Sequence, residues 1–401
     1  MDNNQNLELD IRKDVMEKAD NMKWYRAFYK KRTLLLLLLP LSFFILWLVR
    51  NNQDIAEFVF ARGIYRWISQ GISLISGIFP FSLMELEVIF LPATAIYFIL
   101  RFIGTIFIKL RKKEKAGYTI ALGFLNGICV LSMIFFLYVM LGGTNYYRYS
   151  FASYSGLEIK DSTVDELYNL CLELADEAAG IREQLHQKKD AEDSNGVLKV
   201  STTNWNEVSD KLEKAFMDLS KEYPVLGGYY TSLKPVFFSD FMSRMEITGI
   251  FWPFTMEANV NVDAADYSIP ATMGHELAHL RGFMREDEAN FIGYLVCKES
   301  DNLEFQYSGI MLALTYAGNQ LYKQDPSLYQ SVREHYNTKM IADLRAEYFY
   351  WEKFENTVIS TVSNTVNDNY LKANKQSDGV KSYGRMVDLL LAEYRKNHPS
   401  Q

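Results

Sequence analysis

The chain has 401 residues, 49% apolar and 14% aromatic, with a formal net charge of −7 and three cysteines. That length accommodates two domains. The acidic balance, with no basic cluster outside the loops flanking its apolar runs, argues against nucleic acid as a partner. Three cysteines make no disulfide framework, so Cys129, Cys171 and Cys297 are expected as buried free thiols.

Three apolar runs come first, at 34–49, 88–110 and 118–141. Each is near the length a helix needs to cross the hydrocarbon core, and the first begins too late, with no small-residue cleavage site behind it, for a signal peptide. Lys30, Lys31 and Arg32 precede the first run, and Lys109, Arg111, Lys112, Lys113 and Lys115 lie between the second and third. The connection between the first two has only Arg50, Arg62 and Arg66, set against Asp54, Glu57, Glu85 and Glu87. Under the positive-inside rule the amino terminus and the 111–116 loop are cytoplasmic, so the chain from 142 onward lies outside the cytoplasmic membrane. The moderately apolar 58–81 stretch is read as lying along the interface; were it to cross, the later domain would move to the cytoplasm. The expected divisions are 1–32 cytoplasmic, 33–142 membrane domain, and 143–401 extracytoplasmic domain, with the part from about 150 onward folding without its anchor.

Aromatic residues at 146–147 suit a membrane–water boundary. Ser162-Thr163 with Asp165-Glu166 starts a helix running to about 187, 188–201 is a loop around Asn195-Gly196, and 204–223 is a second amphipathic helix. The character then changes: 234–238 and 247–262 are rich in β-branched and aromatic residues, which predicts strands. A strand just upstream of a catalytic helix can pair with a peptide substrate by strand addition, or can be a plain structural hairpin.

Next comes Gly274-His275-Glu276-Leu277-Ala278-His279, with Pro270 suited to the first turn of its helix. The H-E-x-x-H spacing puts His275 and His279 one turn apart on one helix face, where two neutral imidazoles can hold zinc and Glu276 can take a proton from water. The motif is short and occurs by chance, but here it uses two of only five histidines, with a glycine stop at Gly282 and an acidic helix start directly behind. A second helix over 285–298, antiparallel to the first, would bring Glu286 to His279 as third ligand and Asn290 to His275 as the group that orients it; Glu288 is the alternative ligand. Helical spacing continues over 303–324, 328–355, 355–369 and 381–396, interrupted by a polar, turn-rich segment at 370–385. Tyr383, Arg385 and His335 are candidate donors to an oxyanion, although each is more often a packing or surface residue.

The chain resembles a family of bacterial membrane proteins, domain of unknown function 3810. The matching stretches are Asn145-Tyr146-Tyr147-Arg148, Pro253-Phe254-Thr255, Glu257-Ala258-Asn259-Val260-Asn261, 275–282, 285–291, Tyr307-Ser308-Gly309 and 370–385. The resemblance implies three membrane spans and an outer domain of zinc-peptidase type, and it brings no substrate. Glu-x-x-Ala-Asn at 286–290 is also similar to the Glu-x-x-Ala-Asp element of membrane-anchored gluzincin peptidases, in which the Glu binds zinc and the Asp supports a ligand. The chain departs from that pattern in having Asn290 for the acid and an unusually short gap after the histidine helix.

The expectation is therefore a mainly α protein: three transmembrane helices plus a helix-rich, α+β, zincin-like extracytoplasmic domain. Its function would be hydrolysis of a peptide or protein substrate by zinc on His275, His279 and Glu286, with Glu276 as base. A non-catalytic membrane sensor or assembly protein with a structural zinc is the alternative, although structural zinc has a closed ligand shell and no use for Glu276. Intramembrane proteolysis fits poorly, because Asp263, Asp266, Arg281, Arg285, Glu286 and Asp287 flank the motif and cannot sit in lipid.

Overall fold

The computed structural model describes residues 24–188, 191–200, 205–230, 233–374 and 385–399. The chain is mainly helical and forms two compact units: Leu86–Met140 with the chain up to Leu48, and Val49–Glu85 with Leu141–Gln401.

Among the described residues, three helices are long and apolar enough to cross a membrane: Lys31–Asn51, Leu83–Arg111 and Gly117–Leu141. Their apolar side chains are mostly exposed, which hydrocarbon does not penalise as water would. In the first unit Leu125 and Cys129 pack with Ala27, and the Phe43 and Phe135 rings lie 5.3 Å apart. The number of spans agrees with the sequence expectation.

The second unit departs from the expected divisions. The segment between the first two spans forms two successive helices, Ile55–Tyr65 and Arg66–Gly77. One side of them packs into the later domain and buries Ala56, Glu57, Phe60, Ala61, Tyr65 and Ser69. Part of the predicted interfacial segment is therefore domain core. Its buried polar groups explain why sequence alone misplaces it: Glu57 pairs with Arg148 and Tyr65 bonds Leu280 O, both far away in sequence, while Ser69 and Ser76 donate to carbonyls one turn back in their own helix.

The helix Val164–His186 begins with a capping box, in which Thr163 accepts from the Glu166 N–H and the Glu166 carboxylate accepts from the Thr163 N–H. The other predicted helices are found at Trp205–Leu219, Ile269–Leu280, Glu286–Lys298, Leu303–Gln324 and Met386–Asn397. The expected helix over 328–355 is two helices, Pro326–Arg333 and Thr338–Trp351. Asn337 separates them, its side chain accepting from the Lys339 and Met340 N–H groups as an N-cap. The next helix, predicted over 355–369, runs Val358–Ala373. All three cysteines are free and buried, as expected.

Three short strands form one sheet in the order β1-β3-β2: β1 (Leu233–Pro235), β2 (Gly249–Trp252) and β3 (Glu257–Val260). β1 runs parallel and β2 antiparallel to β3. The expected strand over 234–238 stops at Pro235, because the Phe237 and Phe238 N–H groups donate to the Glu85 carboxylate instead of to β3.

Candidate metal centre

The geometry of this site begins with the end of its first helix. In Ile269–Leu280 the last turn closes as a Schellman motif, with Phe283 N–H on Ala278 O at 3.1 Å and Gly282 N–H on His279 O at 2.8 Å. The motif needs a left-handed residue, and Gly282 supplies it with φ +88°. That turn swings the Phe283 carbonyl back to 2.8 Å from His279 Nδ1. A carbonyl there requires hydrogen on Nδ1 and leaves the Nε2 lone pair facing outward.

The second helix, Glu286–Lys298, starts with three acidic residues in its first turn, where the helix dipole favours negative charge. It lies very close to the first. A Cβ on Gly274 would stand 3.0 Å from Gly293 Cα, and one on Gly293 would stand 2.9 Å from His275 N and 3.0 Å from Ala271 O. Two glycines facing each other thus set the spacing of the helix pair. Gly293→Ala is expected to force backbone apart and lower metal affinity with little change in helix content, a difference that metal titration and circular dichroism will separate.

At this spacing Glu286 reaches both imidazoles, with Oε2 3.3 Å from His275 Nε2 and Oε1 3.6 Å from His279 Nε2. One ligand atom from each of His275, His279 and Glu286 lies within 4.8 Å of the others, so the three can hold a metal ion. The donor set fits zinc: two imidazole nitrogens with their opposite nitrogens engaged, and one carboxylate. His275 Nδ1 is 2.9 Å from Asn290 Oδ1, and Asn290 Nδ2 donates to the Tyr316 hydroxyl at 3.2 Å. Asn290 thus stands at His275 as the sequence suggested. Tyr316, which fixes the direction of the Asn290 amide, had no sequence signal.

Glu288 is turned elsewhere. It is buried, accepts from the Phe151 N–H at 2.8 Å, and pairs with Arg285. Of the two candidate third ligands, only Glu286 stands at the imidazoles.

Glu276 is buried, and its Oε2 has no hydrogen-bond partner among the described residues. Strand β2 runs beside it. Residues of β2 alternate between bonding β3 and pointing away. Gly249 and Phe251 are on the outward phase, and the Phe251 N–H donates to Glu276. A Cβ at Gly249 would come within 2.5 Å of Glu276 Oε1, so a side chain there would displace that carboxylate.

Burial pushes the Glu276 carboxyl up to about 8, against the opposing pull of a charged His275. Burial also pushes the His279 imidazole down to about 4, keeping it neutral. For His275 burial acts downward too, but the Glu286 carboxylate outweighs it and holds the group at about 9. Without a metal the Glu286 carboxylate thus favours a positive charge at His275, the charge a bound cation would supply in its place, so metal binding is coupled to proton release.

Of the proposed oxyanion donors, the described residues place two. His335 lies on the surface with Nδ1 2.7 Å from Asp176, and Arg385 sits 3.4 Å from Asp287. Tyr383 lies outside the described residues.

Two further residues grip the helix end carrying His279. Tyr65 donates to Leu280 O at 3.1 Å and lies 3.3 Å from His279 O. Arg148 donates to Arg281 O at 3.3 Å while its guanidinium forms a two-point pair with Glu57, at 3.0 and 3.1 Å. Carbonyls left over at a helix terminus need such donors. The contacts span 133 to 215 residues of sequence, so no local pattern announces them.

Fold and site together define a protein with three helices able to span a membrane and a helical unit carrying a histidine–glutamate cluster suited to a metal ion. The chain matches the family described as protein of unknown function DUF3810 over residues 60–391, and it belongs to that family. No curated protein and no solved structure matches it.

Proposed function

We propose that the protein is a membrane-anchored zinc metallopeptidase that hydrolyses peptide bonds outside the cytoplasmic membrane. The observation that carries this reading is the buried Glu276 carboxylate, one oxygen without a partner, on the same helix as the two imidazoles and beside the His275–His279–Glu286 cluster. A structural metal site has no need of such a group.

Zinc held by His275, His279 and Glu286 would supply a Lewis acid that polarises a peptide carbonyl and makes water acidic near neutral pH. Glu276, buried beside the cluster with one oxygen unpartnered among the described residues, takes the proton of the attacking water and passes it to the leaving amine. Asn290 and the Phe283 carbonyl hold the two imidazoles in orientation through Nδ1. Strand addition of an extended substrate at the outward edge of β2 would have to turn the Phe251 N–H from the Glu276 carboxylate to the substrate, which would set the scissile bond beside Glu276. The lysine and arginine asymmetry about the three spans supports the outer location.

Metal analysis of the purified full-length protein is the direct test. Stoichiometric zinc is expected, lost in His275→Ala and in His279→Ala. Protein without zinc, or zinc indifferent to both substitutions, would overturn the reading.

A further inference from the structure

The surface around the start of the second span carries a feature that the proposed chemistry does not use. The Phe237 and Phe238 N–H groups donate to the Glu85 carboxylate at 3.1 and 2.9 Å, and Glu85 lies in the first turn of the apolar helix Leu83–Arg111. From the other side, Lys234 donates to the Phe79 carbonyl, just before that helix. Two segments more than 150 residues apart are thereby fastened side by side at the point where a candidate membrane span begins.

The side chains on these segments face outward. Phe237 is 86% exposed, Phe241 53%, Phe238 50%, Phe81 46% and Phe79 38%. The Phe237 and Phe238 rings pack edge to face at 5.0 Å, and those of Phe79 and Phe81 lie 5.8 Å apart. Their backbone is held by the Glu85 and Lys234 contacts, and the helix Ser239–Arg244 follows immediately. A fixed group of exposed phenylalanines is unfavourable in water and marks a contact surface. Its position at the end of a span selects the partner, since aromatic side chains concentrate where a protein meets the membrane–water boundary.

We propose that Phe237 and Phe238, with Phe241 on the helix that follows and with Phe79 and Phe81, enter the interfacial layer of the bilayer and form a membrane contact of the second unit in addition to the spans of the first. The occupant of the surface is lipid: the acyl–headgroup boundary around the first turn of Leu83–Arg111. The inference uses only the span and the aromatic loop, so it stands whether or not the metal site is catalytic. It also has a mechanical consequence. The loop connects β1 to the helix that precedes β2, the strand beside Glu276. Lipid contact therefore anchors the stretch of chain that leads into the edge of the candidate active site.

The three natural cysteines are buried, so a thiol placed at the surface can be labelled selectively. In full-length protein reconstituted into phosphatidylcholine–phosphatidylglycerol vesicles, an NBD fluorophore on Phe237→Cys is expected to emit to the blue. It should also be quenched by lipids carrying a nitroxide near the headgroup. The same label on Asp210→Cys, an exposed position on the helix Trp205–Leu219, should report water and escape quenching. Substitution at a position as exposed as Phe237 leaves the fold intact, which the unfolding temperature of each labelled protein checks. A label at 237 that behaves like the one at 210 overturns the proposal. A blue shift without nitroxide quenching also overturns it, because the surface would then be covered by protein, such as a second copy of the chain.

Discussion

Replacing Glu276 with Gln is expected to leave bound zinc unchanged while lowering peptide hydrolysis by about 10² to 10⁴-fold, the usual contribution of a positioned base. Gln keeps the volume and shape of the side chain and removes only its capacity to accept a proton. Glu286→Gln should act on the metal instead. Glu286 stands within 3.3 to 3.6 Å of both imidazoles, and an amide oxygen is a poorer zinc ligand than a carboxylate. Loss of even a supporting group around zinc costs about 10 to 100-fold in affinity, so loss of a direct ligand should cost at least that. Glu288→Gln is the control: it removes charge from an interior acceptor of the Phe151 N–H and should lower stability rather than selectively release zinc. Zinc content by mass spectrometry, set against cleavage of a denatured protein substrate, gives three distinct outcomes for the three variants. Cleavage that survives Glu276→Gln, or zinc that none of the variants alters, would sink the peptidase mechanism.

The contrast between Glu286 and Glu288 shows which parts of this site are legible in sequence. Helix periodicity places His275 over His279, and a glycine stop followed by an acidic turn places Glu286 and Asn290 opposite them; each relation spans at most 15 residues. What periodicity does not carry is the approach distance of the two helices. That rests on Gly274 against Gly293, and either glycine read alone suggests only local flexibility. The acceptor on His279 Nδ1 is a backbone carbonyl, which any residue at 283 would provide, so side-chain identity says nothing about it. The β2 edge was legible as a strand, but its phase over Glu276 depends on pairing with β3. The expected strand at 234–238 shows the opposite failure. Its residues favour a strand, yet Glu85 competes for their N–H groups, and propensity yields to a tertiary contact.

A fragment beginning near Ser150 should fail to form the stable metal-binding domain that sequence organisation suggests. It would retain the motif and lose the donors that close the metal helix: Tyr65 on Leu280 O, and Arg148 on Arg281 O. Gly282 packs directly against these residues, since a Cβ there would meet Arg148 Nη1 and Tyr65 Cε1, each at 3.1 Å. The pair holding Arg148 is deeply buried, Glu57 being 0% and Arg148 5% exposed, and the guanidinium also lies 4.2 Å over the Phe283 ring. Within the full-length protein, Glu57→Gln strands the Arg148 charge in that interior. Removing one partner of a buried pair costs about 3 to 5 kcal/mol, a large share of a domain's usual stability. Replacing both partners, Glu57→Gln with Arg148→Met, should recover part of the loss, because the unpaired charge is then gone. Glu166→Gln breaks the partly exposed pair with Arg395 and should cost about 0 to 1 kcal/mol by comparison. Thermal unfolding in detergent, followed by far-ultraviolet circular dichroism, ranks the three variants. If the fragment from residue 150 unfolds cooperatively at the temperature of the full-length protein, then the helices Ile55–Tyr65 and Arg66–Gly77 merely decorate the domain rather than complete it.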